Sequence, residues 1–420
     1  MSDLFKNKNI FFTFLILYLS LIFGFYFDEN LNFGARGDWI HTDLPPIMDL
    51  SNNLKETLLN YESYGHRHSP VYLIFLSLFK KIGIPIDVIR FVHLNLSILL
   101  IYIFFKCLSL KFKEIDKTIL LILSLSIFLS PTFRSLAIWP SSRIVGLIFF
   151  LFSIYEFIKY QQNKSNINLW KNIVYLIISS YISPNFSLFI IYFLYHYFKS
   201  HKLSYLVLIC FICLILSLPA LYYLFYLDIN FLTAGTPGLE ENNPIGLNFN
   251  FSNKILIISS IILFHCIPFL INKNLFIKIL NFFKENIIAI LAFLSLNIIF
   301  FDYSMQYTGG GIFFQISNYI AKNNFIFYFF CFLSIGLIWF FSKKNFNNLL
   351  IFIILIASNI QNTIYHKYYD PLIMILLFTL INTELSKGFF GRKINVIYPY
   401  IFYLIFIFMR IVKNYIYVNF

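Results

Sequence analysis

Between Gly34 and Phe75 the chain reads GARGDWIHTDLPPIMDLSNNLKETLLNYESYGHRHSPVYLIF, which places Asp38, Asp43 and Asp49 ahead of His66, Arg67 and His68. Carboxylates followed by imidazoles and a guanidinium are the parts of general acid–base chemistry. A carboxylate held just above a bilayer can deprotonate a polar acceptor while the substrate's lipid stays among the acyl chains. Arg67 would suit a phosphate leaving group through paired hydrogen bonds. Taken singly, each of these residues reads as a solvated surface group, and the five-residue separation of Asp38 and Asp43 does not by itself define a shared site. The clustering carries the signal.

Short helices must hold such residues. Leu50, Leu54, Leu58 and Tyr61 recur at helical spacing, predicting an amphipathic helix over Asp49–Tyr61 that lies flat on the membrane. The segment Pro70–Lys81, PVYLIFLSLFKK, is apolar but twelve residues long, the length of an interfacial or re-entrant helix and not of a span.

The whole composition demands a membrane. Of 420 residues, 59% are hydrophobic, 21% aromatic and 12% charged, with a mean hydropathy of +0.75. Soluble domains carry about 25% charged residues, so a soluble enzyme, a nucleic-acid-binding domain and a disordered regulator are excluded. Continuous apolar runs point to helices and not to a barrel. The fold class read from the sequence is an all-α polytopic integral membrane protein of about 13 transmembrane helices, with a long first outer loop carrying juxtamembrane helices. The expected spans lie near 10–27, 88–105, 117–133, 140–158, 171–183, 186–199, 204–227, 253–271, 286–301, 324–341, 348–364, 371–383 and 397–413.

Charge orients them. If Pro70–Lys81 does not cross, the side of the N-terminus holds 19 Lys+Arg against 6 Asp+Glu, and the other side 13 against 13. The positive-inside rule then places the N-terminus in the cytosol of an inner or plasma membrane. The net charge of +13 therefore reports orientation and not a nucleic-acid partner. Long outer loops follow at 28–87, 228–252 and 302–323, and the first marks the place to look for chemistry. The expected organisation is a module over 1–227, with its catalytic loop at 28–87, and a set of C-terminal helices over 228–420.

Other polar residues fall near span ends. Arg134 and Arg143 flank an outer turn, where charge near a membrane is costly enough to suggest a role; snorkelling toward headgroups explains them equally well. His366, Lys367 and Tyr368 belong to a later polar turn, IYHKYYDP. His93 reads as a satisfied packing histidine. The five cysteines imply no disulfide framework. No HExxH, GxSxG, Walker or zinc-ligand spacing occurs.

A first helix followed by this acidic loop, then by SPVYLIFLSLFKKIGIPIDVIRFVHL, resembles the GT-C class of membrane glycosyltransferases, including relatives of protein mannosyltransferase and of the aminoarabinose lipid A transferase. SPTFRSLAIWPSSRIVGLIFFLFSIYEF, residues 130–157, is similar to the outer turn and following helix of that class. The resemblance covers roughly residues 10–200. It implies transfer of a sugar from a polyprenyl-phosphate carrier to a lipid, glycan or protein acceptor on the outer face, with inversion at the anomeric carbon. The family's catalytic aspartate maps onto Asp43, with Asp38 the runner-up. His66, Arg67, His68, Arg134, Arg143, His366, Lys367 and Tyr368 would bind substrate. Many members carry an acid where this chain reads Pro140, Ser141, Ser142, Arg143, so a divalent cation stays open and no other cofactor is implied. Competing readings are a surface polysaccharide polymerase or ligase, a transporter or flippase of lipid-linked sugars, and a membrane scaffold.

Overall fold

The computed structural model describes residues 8–31, 33–64, 68–226, 249–304, 309–343, 345–359, 361 and 363–416, and these are all-helical, without strands. Two compact units are formed, Met1–Ala234 with Pro399–Phe420, and Gly235–Tyr398.

In the first unit, α1 (Lys8–Tyr26) leads through a π-helical turn, Asp38–Asp43, into α2 (Leu44–Asn52) and α3 (Leu54–Leu59). The helix expected over Asp49–Tyr61 is therefore two helices, the first beginning earlier. Asn53 breaks it with extended backbone (φ −144, ψ 90). Its Oδ1 accepts the Glu56 N–H at 3.3 Å and its Nδ2 donates to Glu56 Oε2 at 2.7 Å, a reciprocal cap that starts α3 afresh. α4 (Pro70–Lys81) covers the short apolar segment, with Ser69 as N-cap and Pro70 in the first turn, where no N–H is needed.

α5 (Ile86–Lys111) is followed by α6 (Lys117–Leu125), whose helical run continues to Leu129 and breaks at Ser130. Pro131 cannot continue the hydrogen-bond ladder, Ser130 Oγ caps Phe133 N at 3.0 Å, and α7 (Pro131–Ile138) turns away by 68°. The stretch expected as one span, 117–133, is thus bent. α8 (Ser142–Asn163) and α9 (Asn166–Ile182) pack closely, because Gly146 lacks the Cβ that would stand 2.6 Å from Ser183 Cβ. Buried amides lock the pair: Asn172 Nδ2 donates to Ser153 O and Oγ, both at 2.8 Å, and Tyr197 O–H to Asn172 Oδ1 at 2.7 Å. α10 (Phe189–Phe198) and α11 (Leu203–Phe225) complete this part.

The second unit contains α12 (Phe251–Cys266), α13 (Lys273–Ile299), α14 (Gly311–Ile316), α15 (Phe325–Ser342), α16 (Phe346–Ala357), α17 (Leu372–Phe378) and α18 (Glu384–Phe389). Residues 273–285, expected as a loop, form the first half of α13. The last helix, α19 (Ile397–Ile411), returns to the first unit, where Tyr400 O–H donates to Ile122 O at 2.6 Å and Arg410 Nε to Leu31 O at 2.8 Å.

Eight described helices are long and apolar enough to cross a membrane, or nine if the bent pair is one span. The four other expected spans fall on α9, α10, α16 and α17, of 17, 10, 12 and 7 residues.

Candidate functional site

Asp43 ends the π-helical turn and is 3% exposed. His68 Nδ1 lies 2.6 Å from Asp43 Oδ1. An ionised carboxylate only accepts, so Nδ1 carries the proton of this bond. Tyr61, fully buried, donates its hydroxyl to the His68 backbone O at 3.0 Å and so holds His68 in place. Burial and, second, the Asp43 charge push the Tyr61 phenol well above its usual range, so it remains a donor. One turn away, Tyr64 bonds Asp49, and burial together with that bond raises it to about 12.

Tyr72 on α4 is the next group. Burial, then the Asp43 charge, raises its pKa. Its hydroxyl is 2.5 Å from His93 Nδ1, while His93 Nε2 lies 2.8 Å from Leu136 O. A carbonyl only accepts, so Nε2 holds the hydrogen and Tyr72 donates to Nδ1. His93 is thus satisfied on both nitrogens. Between α4 and α5 a small apolar groove opens, lined by Phe75, Leu76, Phe79, Ile89 and Leu96, with Tyr72 and His93 as its polar groups.

Arg134, expected as a phosphate ligand, is occupied otherwise. Its Nε donates to Glu29 Oε1 at 2.7 Å and Nη2 to Glu29 Oε2 at 2.5 Å, a bidentate pair. Ser20 Oγ, Ser20 O and Phe128 O, at 3.0, 2.9 and 3.5 Å, accept the remaining hydrogens. Gly24 makes room for this clamp, since a Cβ there would stand 2.6 Å from Glu29 Oε2 and 3.0 Å from Arg134 Nη2. Beside it Arg90, 8% exposed, pairs with Asp28 at 2.8 Å and lies 4.0 Å from the centroid of Trp139, whose Nε1 donates to Glu29 O at 2.9 Å.

The remaining expected residues are dispersed. Asp38 begins the π-helical turn and is half-buried, and Arg143 lies half-buried in the first turn of α8. His66 and Arg67 fall outside the described residues. His366, Lys367 and Tyr368 form a 3-10 turn in the second unit; His366 Nε2 is 2.9 Å from the buried His265 Nε2, and Lys367 Nζ is 5.0 Å from the Tyr365 ring centroid. Among the described residues no group of three or more His, Cys, Asp or Glu is placed to hold a metal ion.

Glu29, Tyr61, Tyr72 and Arg90 were not singled out from the sequence. Arg90 carried a signal, an arginine inside an apolar run; the others did not. The chain matches no protein-family model, no curated protein and no solved structure.

Proposed function

We propose that the protein is a membrane glycosyltransferase that moves a sugar from a polyprenyl-phosphate carrier to an acceptor on the outer face, with Asp43 as general base. The observation that carries the reading is a buried carboxylate, oriented by an imidazole, within electrostatic range of the tyrosine that lines an apolar groove. Exposed Phe75, Leu78 and Val92 on α4 and α5 offer an apolar surface for a prenyl chain. Asp43, oriented by His68, accepts the acceptor's hydroxyl proton. The acceptor oxygen bonds to the anomeric carbon as the carbon–oxygen bond to phosphate breaks, and the electron pair leaves on the polyprenyl phosphate. Configuration inverts.

Arg67 and Arg143 are the cations assigned to the departing phosphate. Arg134 is assigned a positioning role, because Glu29 and Ser20 take up its guanidinium. In this reading the four short helices complete thirteen crossings and the N-terminus is cytosolic; the asymmetry of Lys and Arg along the chain supports that orientation.

The test is mass spectrometry of surface glycans and lipid-linked sugars from cells carrying Asp43→Asn at wild-type expression, against wild type and a deletion. The expected result is that the substitution reproduces the deletion's missing product. A deletion that changes no glycan rejects the transferase reading. An intact profile with Asp43→Asn beside a changed deletion profile moves the base to Asp38.

A further inference from the structure

The end of the first unit remote from Asp43 gathers positive charge. α8 starts beside α7 and runs for 22 residues, about 33 Å at 1.5 Å per residue, so its far end is about one hydrocarbon thickness away. There the chain leaves α8 at Lys164, in left-handed conformation with φ +54. The turn Lys199–Lys202 joins α10 to α11 beside it. Tyr160 ties the two together, its hydroxyl 2.9 Å from Ser200 Oγ and 2.8 Å from His201 Nε2. Lys164 Nζ lies 5.1 Å from the Tyr160 ring centroid and Lys199 Nζ 4.2 Å from that of Tyr195. In both cases the lysine follows its tyrosine by four residues, and Lys159 over Tyr155 repeats the arrangement at 4.4 Å.

Among the described residues no ion pair neutralises Lys164, Lys199 or Lys202. Between Asp116 and Asp228 the chain has a single acidic residue, Glu156, which is buried and pairs with Lys159 at 3.3 Å. Lys164 is close enough to reinforce burial in lowering the His201 pKa. Cations gathered at one helix end and engaged by no ion pair among the described residues form a receptor for an anion.

The rim identifies its source. Ile167, Phe198 and Leu203 are each about two-thirds exposed around the cluster, and Trp170 meets Tyr205 edge-on at 6.2 Å. Exposed aliphatic groups with Trp and Tyr at a helix end mark the level of a membrane–water interface. We propose that Lys164, Lys199, His201 and Lys202 bind the headgroup phosphate of an anionic phospholipid, whose acyl chains lie against Phe198 and Leu203. Residues at this end take no part in the proposed transfer chemistry, so the site stands whether or not that reading does.

The experiment is native mass spectrometry of the full chain in detergent, with phosphatidylglycerol, phosphatidylcholine or inorganic phosphate added at equal concentration. Phosphatidylglycerol adducts are expected to exceed phosphatidylcholine adducts. Lys164→Gln with Lys199→Gln should reduce them by roughly fivefold per lysine, whereas Lys164→Arg with Lys199→Arg should retain them and Lys278→Gln leave them unchanged. Arginine variants that bind while glutamine variants do not exclude misfolding as the cause. Equal adducts for the two lipids, unchanged adducts in the glutamine variant, or inorganic phosphate competing the lipid away at equal concentration would each overturn the proposal.

Discussion

The two units solve the burial of polar groups differently. In the first, buried charges are paired across long stretches of chain: Arg134 with Glu29, Arg90 with the half-exposed Asp28, and Asp43 with the imidazole of His68. In the second, the described ion pair Lys278–Glu384 is more than half exposed, and although Lys254 and Asp370 are buried there, long-range joins in the interior are made by neutral amides. Asn348, fully buried, donates to Phe341 O and Asn382 O at 2.8 and 2.9 Å and accepts from Asn382 N at 2.9 Å. Neutral amides hold helices together at small desolvation cost, whereas a buried ion pair is a weak source of stability. Charge paired over long chain separations in the first unit despite that penalty is what the proposed chemistry at Asp43 requires.

Four substitutions put this contrast to the test. The largest effect belongs to Asp43→Asn, which should lower glycosyl transfer by about 10²–10⁴ while leaving the melting temperature in detergent within a few degrees. Next comes Glu29→Gln. It strands the Arg134 guanidinium, so thermal or denaturant unfolding should show a loss of about 3–5 kcal/mol. In the second unit Asn348→Ala removes a neutral amide and should cost about 1–3 kcal/mol by the same unfolding measurement. Lys278→Gln, on the exposed pair, should change stability by less than about 1 kcal/mol. If Asn348→Ala proves more damaging than Glu29→Gln, the contrast between the units collapses.

What was legible in the sequence was whatever leaves a local trace. Apolar run length gave the helical membrane class, and the twelve residues of Pro70–Lys81 form a helix over that same range. The break at Asn53 was legible too: Asn-Leu-Lys-Glu is a capping pattern that interrupts the leucine periodicity, and the periodicity was given too much weight. Ser130 before Pro131 announced the bend in the same way. Pairings between distant residues leave no such trace. Asp43 and His68 are 25 positions apart and Arg134 and Glu29 are 105 apart, so each residue could be noticed but not its partner. The last helix joins the first unit through Tyr400 and Arg410, contacts that hydropathy does not encode.

Gly24 gives the Arg134–Glu29 clamp a vulnerability outside its own charged residues. Glu29 could swing aside for a methyl group at modest expense as a side chain, but doing so would separate it from the guanidinium it neutralises. In a scan of every substitution along α1 and at positions 29 and 134, position 24 should therefore tolerate as little as those two, although it bears no functional group. Alanine at 24 combined with Asp at 29, whose shorter side chain vacates the space, should recover part of the loss, which would make an apparently inert glycine evolve in step with an acid five residues away.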